Sequence, residues 1–203
     1  DGLHFDYIRY PGSDVCFCDG CRQRFEASVG RRVADWPRDC RHGSLNDQYT
    51  AWRCQQITDL VTAVHREGKR LRPELKISAA VFGSYPSCRE SVAQDWPEWV
   101  KAGLLDFICP MDYTNSDTTF SNLVTNQLRL IEKRIPIYPG IGATASNSRL
   151  SADRVAGQIY QARRLGAGGF TIFNFSEGTA RDIVPGVGKG AGAQKATPPH
   201  RGK

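Results

Sequence analysis

Short runs of apolar residues alternate along the chain with longer segments in which apolar residues recur at three- and four-residue intervals. The short runs are typical of buried parallel strands, and the longer segments are typical of amphipathic helices. Strands are predicted at residues 76–83, 105–113, 135–141 and 169–177, and helices from about residue 25 and at residues 49–70, 96–102, 120–133 and 151–165. Repeated strand–helix units predict an α/β fold with a parallel sheet.

A further strand opens the chain, where a glycine leads into an apolar and aromatic run that ends at Asp6, Arg9 and Pro11. A parallel strand of this kind needs neighbours along its edges. We therefore expect the chain to begin within a domain. We count the five predicted strands as numbers four to eight of a (β/α)₈ TIM barrel, of which the chain would be a part.

Polar side chains lie just beyond the ends of three predicted strands, at Asp6, Asp112 and Glu177. Catalytic residues drawn from the ends of several strands are typical of (β/α)₈ barrels. A doubly wound sheet would show the same alternation of strands and helices. It is disfavoured because no glycine-rich phosphate loop follows a strand: Gly140-Ile141-Gly142 lacks the third glycine and the acidic partner.

Composition and charge narrow the classes of function. The chain has 203 residues, 40% of them hydrophobic, and a formal net charge of +6. Much of this charge lies in residues 188–203, so it gives little support to nucleic-acid binding. That segment lacks apolar periodicity, and we expect it to be a disordered, basic Gly/Pro-rich tail or linker after a barrel portion at residues 1–187. No stretch approaches the roughly 20 apolar residues of a transmembrane helix.

Three of the seven cysteines form the pattern Cys16-x-Cys18-x₂-Cys21. This spacing is compatible with a structural zinc site, for which Cys40 or His42 could supply the fourth ligand. A disulfide such as Cys16–Cys21, or simple packing of the thiols, is the alternative. No other cofactor is predicted.

Four strand-end motifs in order resemble those of one family. They are the run at residues 1–11, Cys-Pro-Met-Asp-Tyr-Thr at 109–114, Ile-Tyr-Pro-Gly-Ile-Gly at 137–142 and Gly-Phe-Thr-Ile-Phe-Asn-Phe-Ser-Glu at 169–177. Over about residues 1–187 the chain resembles the second half of the glycosyl hydrolase-like family ten, bacterial TIM-barrel proteins assigned as glycoside hydrolases. The resemblance implies a (β/α)₈ barrel that acts on carbohydrate, and it favours an exported or cell-envelope protein.

Hydrolysis of a glycosidic bond needs two carboxyl groups, one ionised and one able to donate a proton. Alternate barrel strands place side chains in the same layer, so we expect Asp6 and Asp112 to converge on one pocket. The resemblance to barrel glycosidases that act on α-linked sugars implies that Asp6 is the nucleophile and Asp112 the acid/base, with Glu177 as the rival acid. The structural alternatives for Asp6 are an ion pair with Arg9 or a cap on the following loop. Those for the other two acids are a turn at Asp112 and a helix start at Glu177.

Six further side chains are predicted to bind the sugar, because aromatic faces stack on sugar rings and polar groups hydrogen-bond to hydroxyls. They are His4, Tyr7, Arg9, Tyr10, Tyr113 and Asn174. His4 shares strand parity with Asp6 and should point the same way, where it could keep Asp6 ionised or fill the barrel interior. Trp96 and Trp99 are predicted to be core residues.

The sequence thus predicts a retaining glycoside hydrolase that cleaves O-glycosidic bonds of a poly- or oligosaccharide. Without strands one to three, we expect the isolated chain to be inactive and prone to aggregation. The alternative is a non-catalytic carbohydrate-binding barrel module of the cell envelope. A metal-dependent deacetylase is disfavoured, because no predicted strand end carries the cluster of His and Asp that would hold a catalytic metal.

Overall fold

The chain divides into two compact units in a computed structural model that describes residues 1–194 and 196. The first unit contains Asp1–Ile108 and Leu130–Ile135. The second contains Cys109–Arg129 and the described residues from Pro136 onward. Each unit has its own arrangement of strands and helices, which follow the predicted α/β alternation.

The first unit is built on a sheet in the order β1-β2-β3, formed by β1 (Gly2–Phe5), β2 (Lys76–Phe82) and β3 (Phe107–Met111). β1 and β2 are parallel, with Gly2 opposite Lys76 and Phe5 opposite Ala79. β3 begins in this unit and ends in the second. The helices are α1 (Asp19–Val29), α2 (Arg38–Arg41), α3 (Asn46–Leu71), α4 (Ser87–Val92) and α5 (Trp96–Lys101).

The second unit contains a pair of parallel strands, β4 (Gly140–Gly142) and β7 (Thr171–Phe173). A short antiparallel hairpin, β5 (Thr144–Ala145) and β6 (Ser148–Arg149), follows β4 and was not predicted. The helices are α6 (Asp117–Ile131), whose last two residues fall in the first unit, α7 (Ala152–Leu165), α8 (Glu177–Asp182) and α9 (Val184–Lys189).

The predicted parallel pairing is confirmed for β1 with β2 and for β4 with β7. The strand expected at residues 135–141 is shorter and begins only at Gly140. Pro136 and Pro139 precede it, and proline has no N–H group to donate to a strand ladder. Helix α1 begins at Asp19, six residues before the predicted start at about residue 25, and so includes Cys21.

Each unit has a separate hydrophobic core. In the first, an aromatic cluster packs between α1 and α3, and Trp96 and Trp99 of α5 are fully buried, as predicted. The buried members of the cluster between α1 and α3 are Phe25, Val33, Cys40, Leu45 and Tyr49. In the second, α6 and α7 pack apolar side chains around Ile141 of β4. Among the described residues, no helix is long and apolar enough to cross a membrane.

The segment predicted to be a tail, residues 188–203, begins inside helix α9, which ends at Lys189. Ala191 is only 2% exposed and packs in the core of the second unit. Val187 of helix α9 belongs to this core too. Residues 195 and 197–203 of the predicted tail lie outside the described residues.

Candidate functional site

Asp6 lies directly after β1, at the carboxyl end of a strand that is parallel to β2. Its side chain is exposed, and Oδ1 accepts a hydrogen bond of 2.7 Å from the backbone N–H of Tyr7. Tyr7 has a φ of 55°, a left-handed conformation that is unfavourable for an aromatic residue. Such backbone conformations are concentrated at functional sites, which makes the turn after Asp6 a candidate functional position.

His4 lies two residues before Asp6, opposite Ser78 of the neighbouring strand. Its Nδ1 is 2.8 Å from the Ser78 hydroxyl. Partial burial lowers the pKa of His4, and the negative charge of Asp6 offsets part of that decrease. The charge of Asp6 thus reaches His4, and the contact with the Ser78 hydroxyl fixes the orientation of the imidazole.

The Arg9 guanidinium stacks on aromatic rings. It lies 3.8 Å from the ring centroid of Tyr7 and 4.8 Å from that of Phe82. None of the ion pairs found within the described residues includes Asp6, so the alternative of an Asp6–Arg9 pair does not occur. Arg9 Nη1 donates to the Tyr10 carbonyl at 3.5 Å, and stacking leaves the rest of the guanidinium edge for hydrogen bonds to a ligand.

Tyr10 has a different environment from Tyr7. Its ring is partly buried, with the Arg53 guanidinium 4.5 Å from the ring centroid, and its backbone N–H donates to the carbonyl of Val92 at 2.9 Å. Burial is the main cause that raises its pKa. Tyr10 is therefore held within the loop, whereas Tyr7 is 59% exposed and open to a ligand.

Gln94 links two backbone segments that lie next to Asp6. It is fully buried, its Oε1 accepts from the Phe82 N–H at 2.7 Å, and its Nε2 donates to the Ile8 carbonyl at 3.3 Å. One side chain thus joins the end of β2 to the loop that follows Asp6. Gln94 is a positioning residue that the sequence analysis did not identify.

The three cysteines of the Cys-x-Cys-x₂-Cys pattern come together in the same unit. Backbone N–H groups at the start of α1, led by that of Cys21, lower the pKa of the exposed Cys18 thiol to about 7. Burial raises the pKa of Cys21 to about 11. Of the two expected fourth ligands, Cys40 is buried in the aromatic core, and neither it nor His42 joins the thiol group within the described part of the chain.

Asp112 follows β3 and is the opposite of Asp6 in its surroundings. It is fully buried, and its Oδ1 accepts a hydrogen bond of 2.6 Å from the Gln127 amide of α6. Oδ2 has no hydrogen-bond partner among the described residues. Burial raises the pKa of Asp112 to about 8, although the bond from Gln127 acts in the other direction. The carboxyl is therefore protonated at neutral pH and, in this arrangement, out of reach of a ligand.

Tyr113, next to Asp112, lies on an aromatic surface of the second unit. Its ring stacks on Phe173 with the centroids 5.0 Å apart and an angle of 23° between the planes. A Cβ atom at Gly140 would lie 3.0 Å from the Tyr113 ring, and one at Gly142 would lie 2.8 Å from Tyr113 Cβ. The two glycines of β4 therefore allow the close approach of this tyrosine.

Asn174 and Glu177 follow the end of β7. The Thr144 hydroxyl donates to Asn174 Oδ1 at 2.9 Å, which orients the amide. Glu177 is exposed and starts α8, where the Ser176 hydroxyl caps the helix by accepting from the Thr179 N–H. Phe175, between them, is 84% exposed. The second unit thus presents aromatic faces beside one exposed carboxylate.

Most of the chain, residues 4–155, matches the family described as Glycosyl hydrolase-like 10. The chain belongs to this family. Its fold is similar to that of the PgaB (BpsB) glycoside hydrolase domain from Bordetella bronchiseptica, with a TM-score of 0.69 and 16% sequence identity over 86% of this chain. The chain spans about half of that structure, 52% of its length. No curated protein matches the chain.

Membership of Glycosyl hydrolase-like 10 confirms the family predicted from the strand-end motifs. Around those motifs the structure adds side chains that the sequence analysis missed. Phe173 and Phe175 could have been found, because they flank Asn174 in the strand predicted at residues 169–177. Gln94 and Gln127 carry no motif, since their role depends on which backbone and carboxyl groups the fold buries next to them.

Proposed function

We propose that the chain forms the second half of a (β/α)₈ barrel, with β1, β2, β3, β4 and β7 as strands four to eight. The alternation of strands with helices and the parallel pairing support this assignment. The partial match to a glycoside hydrolase domain also supports it. Beside β1, the apolar side chains of Leu3 and Leu71 are 37% and 65% exposed, as expected of a surface that other barrel elements would cover.

We infer further that the protein hydrolyses O-glycosidic bonds of a poly- or oligosaccharide. The observation that carries this inference is the environment of Asp6, an exposed carboxylate at the carboxyl end of a parallel strand. It accepts one backbone hydrogen bond, lies within electrostatic reach of His4 and is followed by a tyrosine with a left-handed backbone. A carboxylate held in this way, but left without an ion pair, is suited to act on a substrate.

The second carboxyl group comes from Glu177 or Asp112. A general acid must touch the glycosidic oxygen as well as carry a proton. Asp112 carries the proton because burial raises its pKa to about 8, but it is fully buried against Gln127. Glu177 is exposed beside Phe175. On exposure we therefore favour Glu177 for the role of the acid, and we assign Asp112 as a buried, neutral carboxyl held by Gln127. Asp112 as the acid is the alternative, and it requires this carboxyl to become exposed.

In the proposed reaction Asp6 attacks the anomeric carbon while the second carboxyl group gives its proton to the leaving oxygen. The glycosidic bond breaks and a glycosyl ester forms on Asp6. The second carboxylate then takes a proton from water, and the resulting hydroxide displaces Asp6. Tyr7 in the first unit, and separately Phe173 and Phe175 in the second, offer exposed aromatic faces on which sugar rings stack.

The test is the substitution Asp6→Asn in the protein that carries this chain, assayed on a panel of oligosaccharides with products identified by mass spectrometry. We expect kcat to fall by about a thousandfold or more, because the amide cannot form the glycosyl ester. Asp59→Asn, an exposed aspartate on α3, is the matched control and should leave turnover unchanged. Near-normal turnover by Asp6→Asn would overturn the assignment.

Carbohydrate binding without cleavage is the second candidate function, and the exposed aromatic rings of the second unit favour it. Phe173 is 44% exposed and Phe175 is 84% exposed, as in a surface that stacks on sugars. The same panel separates the two functions. Glycan affinity that survives Asp6→Asn, together with no product from the unmutated protein, would establish a binding module.

A further inference from the structure

The loop between β1 and α1, together with the first turn of α1, brings three thiol groups together. Cys16 Sγ lies 3.3 Å from Cys18 Sγ and 3.4 Å from Cys21 Sγ, and all three sulfur atoms lie within 4.8 Å of one another. In a tetrahedral zinc centre, Zn–S bonds of about 2.3 Å place thiolate sulfurs about 3.8 Å apart. These two separations therefore differ from the spacing of a metal centre by only about half an ångström.

The loop backbone is held by side chains from elsewhere in the first unit. They donate hydrogen bonds to four carbonyls along the loop: Arg53 to Gly12, Arg41 to Asp14 at 3.4 Å, Tyr49 to Cys16, and Trp36 to Phe17 at 3.1 Å. Tyr49 and Arg53 are each only 2% exposed. Buried side chains of the first unit therefore hold the loop backbone in place, and this fixed backbone keeps the three thiols close together.

Backbone N–H groups at the start of α1 and the Arg24 guanidinium favour negative charge on the sulfur atoms, whereas the burial of Cys21 opposes it. Cys18 immediately precedes helix α1 and Cys21 lies in its first turn, where unpaired backbone N–H groups stabilise anions. The Arg24 guanidinium donates to Cys21 Sγ at 3.3 Å. Thiolates, and not thiols, are the ligands of zinc.

We propose that Cys16, Cys18 and Cys21 bind one Zn²⁺ ion, with a solvent molecule as the fourth ligand. The fourth ligand is assigned to solvent because Cys18 is exposed and the group found among the described residues contains no fourth protein ligand. A metal uses all three thiols, whereas a disulfide would use two and leave the third unpaired. The ion would hold the loop that links Asp6 to α1 and so stabilise the first unit.

The metal content of the protein that carries this chain tests the proposal. After purification without chelator, we expect Cys18→Ser to contain about one zinc ion per chain less than the unmutated protein, because a centre with two thiolates binds zinc far more weakly. Cys109→Ser is the matched control, since Cys109 lies on β3 outside the thiol group, and it should keep the zinc content unchanged. Equal zinc content in Cys18→Ser and the unmutated protein would overturn the proposal.

Cobalt substitution gives a readout that does not depend on a variant. After removal of zinc with a chelator, Co²⁺ should produce thiolate-to-cobalt charge-transfer absorption in the near ultraviolet, and added Zn²⁺ should abolish it. Absence of these bands in the folded, reduced protein would contradict a three-thiolate centre. A mass about 2 Da below that of the reduced chain, restored by reductant but not altered by chelator, would identify a disulfide instead.

Discussion

Asp6 and Asp112 each follow a strand directly, yet the fold gives them opposite environments. Asp6 is exposed, accepts a backbone N–H and interacts with His4. Asp112 is fully buried, and burial raises its pKa to about 8. Along β3 the residues on one face are buried, and Asp112 continues that face, whereas Tyr113 is partly exposed. Position at a strand end therefore does not make a carboxyl catalytic; the face of the strand decides whether it can meet a substrate.

A buried glutamine serves each carboxyl group, but in a different way. Gln94 hydrogen-bonds to the Phe82 N–H of β2 and to the Ile8 carbonyl in the loop after Asp6, and it leaves the Asp6 carboxylate itself free for a ligand. Gln127 donates directly to the Asp112 carboxyl. The first arrangement positions a reactive group, and the second satisfies a buried polar group, which is costly to leave without a partner.

The first prediction concerns pH and the free energy of unfolding. Because the pKa of Asp112 is about 8 in the folded state, above the value of about 3.9 for an unfolded aspartate, the folded state binds more protons between these values. The contribution of Asp112 to the free energy of unfolding is therefore complete below about pH 4. It is lost as pH rises to about 8, by about 1.4 kcal/mol per pH unit. Asp112→Asn should remove this loss. Between pH 5 and pH 8 the free energy of unfolding, measured with urea, should therefore fall by several kcal/mol less in the variant than in the unmutated protein.

Asp6→Asn is the matched control for this measurement. An exposed substitution of this kind changes stability by less than about 0.5 kcal/mol, so the pH dependence of unfolding should stay close to that of the unmutated protein. If Asp112→Asn and the unmutated protein lose stability equally between pH 5 and pH 8, Asp112 is not a buried neutral acid.

The second prediction compares the two candidates for the acid in turnover. Glu177→Gln should lower kcat by about a hundredfold, equivalent to about 3 kcal/mol, since general acid catalysis contributes on this scale. Asp112→Asn should lower kcat by less than about tenfold, because the buried amide keeps a group of the same shape beside Gln127. Rates measured on the oligosaccharide that the unmutated protein cleaves best would check this. The reverse order of effects would assign the acid role to Asp112.

The third prediction separates the roles of the two glutamines. Gln94→Leu leaves the Phe82 N–H and the Ile8 carbonyl without their partner and should reduce the free energy of unfolding by about 2 kcal/mol. It should also lower turnover, because these groups support the backbone beside Asp6. Gln127→Leu, the matched control, should reduce stability by a similar amount with a smaller effect on turnover. Denaturant unfolding and kcat on the same samples give both numbers, and equal losses of turnover would remove the distinction.

The fourth prediction concerns the exposed aromatic surface of the second unit. Phe175→Ser should weaken oligosaccharide binding by about 1 kcal/mol, or about fivefold in Kd, because a stacking face is removed while the fold is unaffected. Isothermal titration calorimetry in the Asp6→Asn background, which suppresses turnover, measures this. Tyr160→Ser removes an aromatic side chain that is 49% exposed on α7 and should leave Kd unchanged. An identical Kd for both variants would place the sugar elsewhere.

The order of strands and helices followed from apolar periodicity, because each period reports a local backbone geometry that needs no knowledge of distant residues. The hydrogen-bonded strands were less predictable. The run at residues 135–141 has the apolar content of a strand, yet the continuous strand is limited to Gly140–Gly142, since the prolines before it cannot donate to a ladder. The hairpin after β4 has strands of only two residues, too short to give an alternating pattern.

For this protein, the sequence by itself determined the family, the α/β alternation and the set of polar residues at the strand ends, because these depend on local periodicity and on motifs of fixed spacing. Only the tertiary structure decided that Asp6 is open while Asp112 is buried, and that two glutamines support them. The physical reason is that burial and hydrogen-bond partners depend on residues far apart in the chain: Ile8 meets Gln94 across 86 positions, and no local pattern encodes that contact.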